Sequence, residues 1–330
     1  MKTTLEDLAR LAGVSISTVS RALNNQPAIS AETRRRIWAL AQTHNYPIRS
    51  PMQSAVEGVD RSIAIVTPHL QGRPLPLWHP FLLELIANIG EAARARDCDF
   101  TVSHVTPVSF DDLVLATGAG RADGVIFLGQ STLHEALNKL SETGVRFVVW
   151  GAQVAGQRYR TIGTDNLVGG RRATAHLCRL GRRRILFVGG VDLETQQRRR
   201  GYLEALREHG IQHDPGLVAD VNFELDAAEA AVTRLLNRGV SFDGVFAASD
   251  LIALGVIRAV RRAGLSVPGD VSVVGYDDIL LSQLSVPTLS TIRQDTRRAG
   301  SLLVSSILDG DSDLQGLLPT DLIIRESCGG

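Results

Sequence analysis

Ser17, Ser20 and Arg21 fall within a few residues of one another in the stretch Ser15-Ile16-Ser17-Thr18-Val19-Ser20-Arg21-Ala22-Leu23, just after a glycine. A guanidinium, two hydroxyls and the aliphatic Ile16 form a set suited to base edges. Arginine bonds guanine O6 and N7 as a fork, hydroxyls meet donors or acceptors, and an apolar group meets the thymine methyl. Val19, Ala22 and Leu23 recur at helical spacing as a buried stripe, which turns Ile16, Ser17, Ser20 and Arg21 outward near the helix start. Upstream, Leu5, Leu8, Ala9 and Ala12 give a first helix one apolar face. Gly13 stands where that helix should stop, because glycine tolerates the left-handed closing conformation. Ser15 is a good cap for the second helix. Helix, glycine turn and a second helix with a polar start is the arrangement that puts a reading helix in the DNA major groove. Ile16, Ser17 and Arg21 are expected at base edges, with Arg21 reading guanine. Thr4, Ser15, Ser20, Asn24, Ser30 and Thr33 are expected at phosphates. Ser30 should cap a third helix over 31–44, with Ile37, Leu40 and Ala41 closing a small core.

The 330-residue chain carries equal numbers of basic and acidic residues, so whole-chain charge points to no partner. The distribution is uneven: residues 1–50 hold seven Lys or Arg against three Asp or Glu, a local basic excess that suits phosphate binding. Cys98, Cys178 and Cys328 lie far apart without metal-ligand spacing, as expected of reduced thiols in the cytoplasm. There is no signal-peptide pattern and no run of about 18 apolar residues, so no membrane is expected. The histidines are scattered, with no metal site expected. Gly118-Ala119-Gly120 and Gly189-Gly190 lack the spacing of a phosphate loop, and no serine nucleophile elbow occurs. No catalytic residue and no cofactor are therefore expected.

From Arg61 onward, apolar runs at 63–67, 100–105, 124–128, 147–150, 185–188, 245–248 and 271–275 alternate with helical stretches at 80–96, 133–143, 166–180, 199–209, 227–238 and 251–263. Short buried strands between amphipathic helices predict parallel sheets covered on both faces. Arg121-Ala122-Asp123-Gly124-Val125-Ile126-Phe127-Leu128-Gly129 and Ser241-Phe242-Asp243-Gly244-Val245-Phe246-Ala247-Ala248-Ser249 repeat one device, an Asp-Gly turn into a strand. Two similar sub-domains follow, and a ligand would bind between them outside the carboxyl ends of the strands.

Residues 12–24, Ala-Gly-Val-Ser-Ile-Ser-Thr-Val-Ser-Arg-Ala-Leu-Asn, closely resemble the recognition segment of the lactose-repressor (LacI/GalR) family of bacterial transcription regulators. The resemblance extends through Gly163-Thr164-Asp165-Asn166, Arg198 to Gly201, Ala248-Ser249-Asp250 and Val267 to Asp278. It implies a small all-α helix-turn-helix DNA-binding domain followed by an α/β periplasmic-binding-protein-like domain of two doubly wound parallel-sheet sub-domains. The implied division is a head at 1–47, a hinge or linker at 48–60 and an effector-binding and dimerisation domain at 61–330. Within the last, the N-sub-domain takes about 61–161 and 291–320, and the C-sub-domain about 162–290 and 321–330. Chain crossings are placed near 160–163, 288–292 and 319–322.

The family's hinge helix wedges an apolar side chain into the minor groove. Here the usual leucine is absent, and Met52 or Val56 would take its place. For the cleft, the resemblance assigns Arg198 as the effector-contacting arginine, Asp277 as the acidic contact, Gln294 as a polar group near the crossing and Phe223 as an aromatic wall. Trp150, His79, Phe81 and Leu82 fall at further cleft positions. The helices at 80–96 and 251–263, with Leu82, Leu85, Ile86, Ile89, Leu254, Ile257 and Val260, are implied to pack across a homodimer. The partners implied are double-stranded operator DNA and a small-molecule effector, a sugar that relieves repression. A co-repressor such as a purine, or an α/β sugar-converting enzyme, remain as alternatives.

Overall fold

The structure, a computed structural model, describes residues 4–23, 29–30, 33, 36–37, 40–41, 61–67, 69–70, 73–117, 122–130, 132–310 and 316–329. The chain divides into two compact units, Met1–Asp60 and Arg61–Gly330. In the first, helices Leu5–Ala12 and Ile16–Leu23 pack with helical residues around Ile37. Leu8, Ala9, Ala12, Val19, Ala22, Ile37 and Ala41 form its core, and Leu40 packs partly buried against it.

The second unit holds two six-stranded sheets. The first has the order Gly316–Leu318, Thr161–Thr164, Phe147–Trp150, Gly124–Leu128, Ser62–Val66, Asp99–Val102, with every pairing parallel. The second has the order Asp321–Ile323, Ser290–Arg293, Ser272–Asp277, Gly244–Ala247, Ile185–Gly189, Val218–Asp220. Only its last-arriving strand, Asp321–Ile323, runs antiparallel. Helices cover both faces of the first sheet. Leu82, Leu85 and Ile89 of Pro80–Arg94 pack with Leu303 and Ile307 of Thr296–Leu308 on one side, and Leu113, Leu137 and Leu140 pack on the other. Each such aliphatic side chain contributes roughly 1.5–3 kcal/mol on burial. The second lobe has one continuous core that includes Phe187, Tyr202, Phe246, Ile257 and Tyr276.

Several sequence-based expectations shift. The first two crossings fall later, since Thr161–Thr164 belongs wholly to the first sheet and Ser290–Arg293 wholly to the second, while the third lies where expected, between Leu318 of the first sheet and Asp321 of the second. The chain therefore leaves the first lobe after Thr164 and the second after Arg293, because each strand completes its parallel ladder before departing. The helix expected from Arg199 begins at Leu193, capped by Asp192. Its early buried positions are Thr195 and Arg198, not apolar residues, so hydrophobic periodicity did not mark it. The strand expected over 100–105 is Asp99–Val102, an edge strand exposed along its length. Helices Phe110–Ala116 and Thr296–Leu308 and strands Thr161–Thr164, Val218–Asp220 and Ser290–Arg293 were not anticipated as such. Leu82, Leu85, Ile89, Ile257 and Val260, expected across a dimer, lie buried in the cores of their own lobes.

One helix crossing positions the later site. A Cβ on Gly170 would lie 2.1 Å from the Arg198 carbonyl oxygen, and one on Gly201 2.1 Å from that of Leu167. Only glycine at both positions lets helices Asn166–Arg179 and Leu193–Glu208 meet backbone to backbone. That contact brings Asn166 and Arg198 together.

Candidate functional site

In the head, Thr4 caps the first helix reciprocally with Asp7. The Asp7 amide donates to Thr4 Oγ1 (3.2 Å) and the Thr4 amide to Asp7 Oδ2 (3.0 Å), a capping box. The Thr4 amide, and the Thr4 hydroxyl donating to the same oxygen at 2.8 Å, hold the Asp7 carboxyl below its ordinary range. Gly13 closes the helix at φ 63°. Ser15 then accepts from the Thr18 amide at 3.1 Å and caps the second helix. With Val19 and Ala22 buried, Ile16, Ser17 and Arg21 are exposed on one side, and Ser20 is half-buried. Ser30 caps in the same way, accepting from the Thr33 amide at 3.2 Å. Thr4, Ser15 and Ser30 thus stand at helix N-termini, where amide groups and the helix dipole favour phosphate. Asn24, Met52 and Val56 lie outside the described residues.

In the second unit a cleft enclosing about 770 Å³, its open mouth included, lies between the two lobes. His79, Phe81, Leu82, Trp150, Arg198, Phe223, Asp277 and Gln294 all line it. Arg198 is its keystone. Nε donates to Asn166 Oδ1 (2.8 Å) and Nη1 to the Ala248 carbonyl (2.6 Å). The guanidinium carbon sits 3.6 Å from the centre of the Tyr276 ring, and Nη1 is 3.9 Å from Asp277 Oδ1. Asp277 ends the strand Ser272–Asp277 at φ 117°, followed by Asp278 at φ 60°. Two successive non-glycine residues at positive φ are a strained backbone of the kind that clusters at functional sites. Arg325 Nη2 donates to Asp278 Oδ1 at 2.6 Å, and this ion pair helps hold the turn.

Gln294 joins the lobes at a crossing. Its Nε2 donates to Asp277 Oδ1 (2.7 Å) and its Oε1 accepts from Thr164 Oγ1 (2.6 Å). Burial pushes the Asp277 carboxyl up to about 7, although Arg198 and the Gln294 bond pull it down. Beneath it, buried Asp250 accepts from the Ile279 amide (2.9 Å) and Thr291 Oγ1 (2.5 Å). Burial and the charge of Asp277 raise its carboxyl well above the usual range. Across the cleft, on the first lobe, Phe81 and Trp150 pack ring to ring at 6.2 Å, and His79 meets Phe223 of the second lobe edge-on at 6.3 Å. Burial lowers the His79 imidazole to about 4, which keeps it neutral, and neither ring nitrogen has a hydrogen-bond partner.

The arrangement is one of recognition. A rigid donor fork, a carboxylate and an amide share one side with Phe223, and Phe81, Trp150 and aliphatic side chains form the other. Among the described residues no cluster of three or more metal-ligating side chains occurs. The sequence did not single out Asp192 or Glu194, which also line the cleft, nor Tyr276 beneath Arg198. Asp192 and Glu194 carry no local signature beyond opening a helix.

Residues 4–47 match the model for "Bacterial regulatory proteins, lacI family", and 174–328 that for "Periplasmic binding protein-like domain". "HTH-type transcriptional regulator CelR" of Thermobifida fusca is 31% identical, with 98% of each chain covered. The chain belongs to the LacI family of bacterial regulatory proteins. A solved CelR–cellobiose complex superposes with a TM-score of 0.68 at 32% identity, covering 99% of this chain and 100% of that one. The lac repressor dimer bound to operator and the anti-inducer ONPF superposes with a TM-score of 0.71 at 28% identity, covering 99% of each. As a LacI-family member the chain is a DNA-binding transcription regulator and not an enzyme. No described helix is long and apolar enough to cross a membrane.

Proposed function

We propose that this LacI-family regulator represses carbohydrate-utilisation genes and releases its operator when a sugar binds the cleft between the lobes. The observation that carries this is the buried Arg198–Asp277–Gln294 group facing Phe81 and Trp150, with Phe223 lining the cleft from the second lobe. Vicinal hydroxyls donate to Asp277 and accept from Arg198, while the C–H face of a pyranose ring rests on the aromatic wall. CelR, solved with cellobiose, supports a sugar as the ligand class. Gln294 touches Asp277 and Thr164, so it feels both ligand and crossing, and a ligand that changes the lobe angle alters the spacing of the DNA heads.

The working division is a head at 1–47, a linker at 48–60 and an effector domain at 61–330. The heads act as a homodimer on a near-palindromic site. Arg21, Ser17 and Ile16 read bases, and Thr4, Ser15, Ser20, Asn24, Ser30 and Thr33 hold phosphates. Leu83, Leu280 and Leu284 stay exposed after the cores are filled, an apolar remainder suited to a second copy.

The test is fluorescence anisotropy on DNA from upstream of the regulator's own gene, at fixed salt with excess non-cognate DNA, with pools of sugars or nucleobases added. Competitor-resistant binding weakened by a sugar pool is expected. Binding strengthened by the nucleobase pool, with no response to sugars, would replace induction by co-repression.

A further inference from the structure

The ionisable residues lining the cleft are His79, Asp192, Glu194, Arg198 and Asp277. Arg198 is the only cation lining it among the described residues, and its charge is already engaged by Asp277, Asn166, the Ala248 carbonyl and the Tyr276 ring. Asp192 and Glu194 are left without a basic partner. Asp192 uses Oδ1 to cap the helix, accepting from the Thr195 amide at 2.9 Å, while its buried Oδ2 has no partner. Glu194 follows in the first turn and lies against the backbone of Gly151 and Ala152 in the other lobe. Facing them from the first lobe, His79 is 6% exposed and both its ring nitrogens are unpartnered. The unpartnered Asp192 Oδ2 and His79 nitrogens point to a ligand that completes them.

A neutral sugar hydroxyl carries one proton and no charge. An ammonium group carries three donors and a full positive charge, so one such group bonds Asp192 Oδ2 and Glu194 together and neutralises part of the acidic excess. An anionic sugar would meet that excess unscreened. Resting on the sugar reading above, we propose that the effector is an amino sugar, a hydroxylated ring whose protonated amine is held by Asp192 and Glu194 while its hydroxyls meet Arg198, Asp277 and His79. The state of Glu194 agrees with this. Burial and the charge of Asp192 push its carboxyl up to about 7, with Arg198 and the Ala152 amide pulling the other way. A cation seated there drives off the proton.

The test is isothermal titration calorimetry on the full chain with matched pairs: glucose and glucosamine, galactose and galactosamine, mannose and mannosamine. In at least one pair the amine should bind at least about tenfold more tightly, with proton release near pH 7 seen as a dependence of the heat on buffer ionisation enthalpy. Glu194→Gln should cut the ratio within that pair to under about threefold, and Asp192→Asn, which keeps the helix-capping oxygen, should lower it as well. Circular dichroism checks that both variants are folded. A neutral member binding as well as its amine overturns this proposal and leaves the sugar reading standing. If no member of any pair binds, both fall.

Discussion

Arg198→Ala tests whether the guanidinium is a structural keystone as well as a ligand contact. The substitution removes the bonds to Asn166 Oδ1 (2.8 Å) and the Ala248 carbonyl (2.6 Å) and the stacking on Tyr276. It leaves Asp277 with no cation within reach, in a site where both side chains are about 6% exposed. Removing one member of a buried pair costs about 3–5 kcal/mol, mostly through the stranded charge. Asp277 already carries a carboxyl pushed to about 7 and can take up a proton, so the lower end of that range applies, about 3 kcal/mol. The assay is urea unfolding of wild type, Arg198→Ala, Asp277→Asn and the double variant at pH 8. The single Arg198 variant should lose about 3 kcal/mol, and the double variant should recover part of that loss because no charge is stranded. An Arg198→Ala protein as stable as wild type would refute the keystone argument. Any loss of effector response would then reflect ligand contact alone.

Arg21→Ala should cost roughly 1–3 kcal/mol of operator discrimination while non-specific binding persists; unchanged competition by mutated operators would exclude it from base reading. Gly201→Ala places a Cβ 2.1 Å from the Leu167 carbonyl oxygen, so the helix pair must separate; a loss of several kcal/mol in urea unfolding is expected, roughly the scale of severe overpacking. Glu194→Gln should have a pH-dependent effect on stability. Burial raises the folded-state value of Glu194 to about 7 against an unfolded value near 4.5. Between those values the folded state binds more protons, so this group's contribution falls as pH rises through that window. The variant should therefore gain stability over wild type at pH 8 and show little gain at pH 4.5, read from melting temperatures at both.

The head was legible because its signals are local. Gly13, the capping residues Thr4 and Ser15 and the Val19–Ala22 stripe all act within a few residues, and the structure uses each as the sequence suggests. The alternation of the body was legible where strands are apolar throughout, as at Gly124–Leu128 and Ile185–Gly189. It failed where burial is polar. The helix Leu193–Glu208 turns Thr195 and Arg198 inward, so its first turns carry no apolar face. Thr161–Thr164 holds two threonines and a glycine in a wholly buried strand. The resemblance supplied eight cleft residues, and the structure brings all eight to one cavity. It passed over Asp192 and Glu194, because what makes them part of the cleft is where the helix begins, at the Asp192 cap, and how closely that helix packs on its neighbour through Gly170 and Gly201.

Coupling between cleft and head is tested by a closed thermodynamic cycle. The affinity for a responsive sugar is measured with and without saturating operator, and the affinity for operator with and without saturating sugar. Linkage requires both ratios to be the same factor. Equal reductions are expected, each at least about fivefold. A sugar that binds the cleft tightly yet leaves operator affinity unchanged would contradict the coupling.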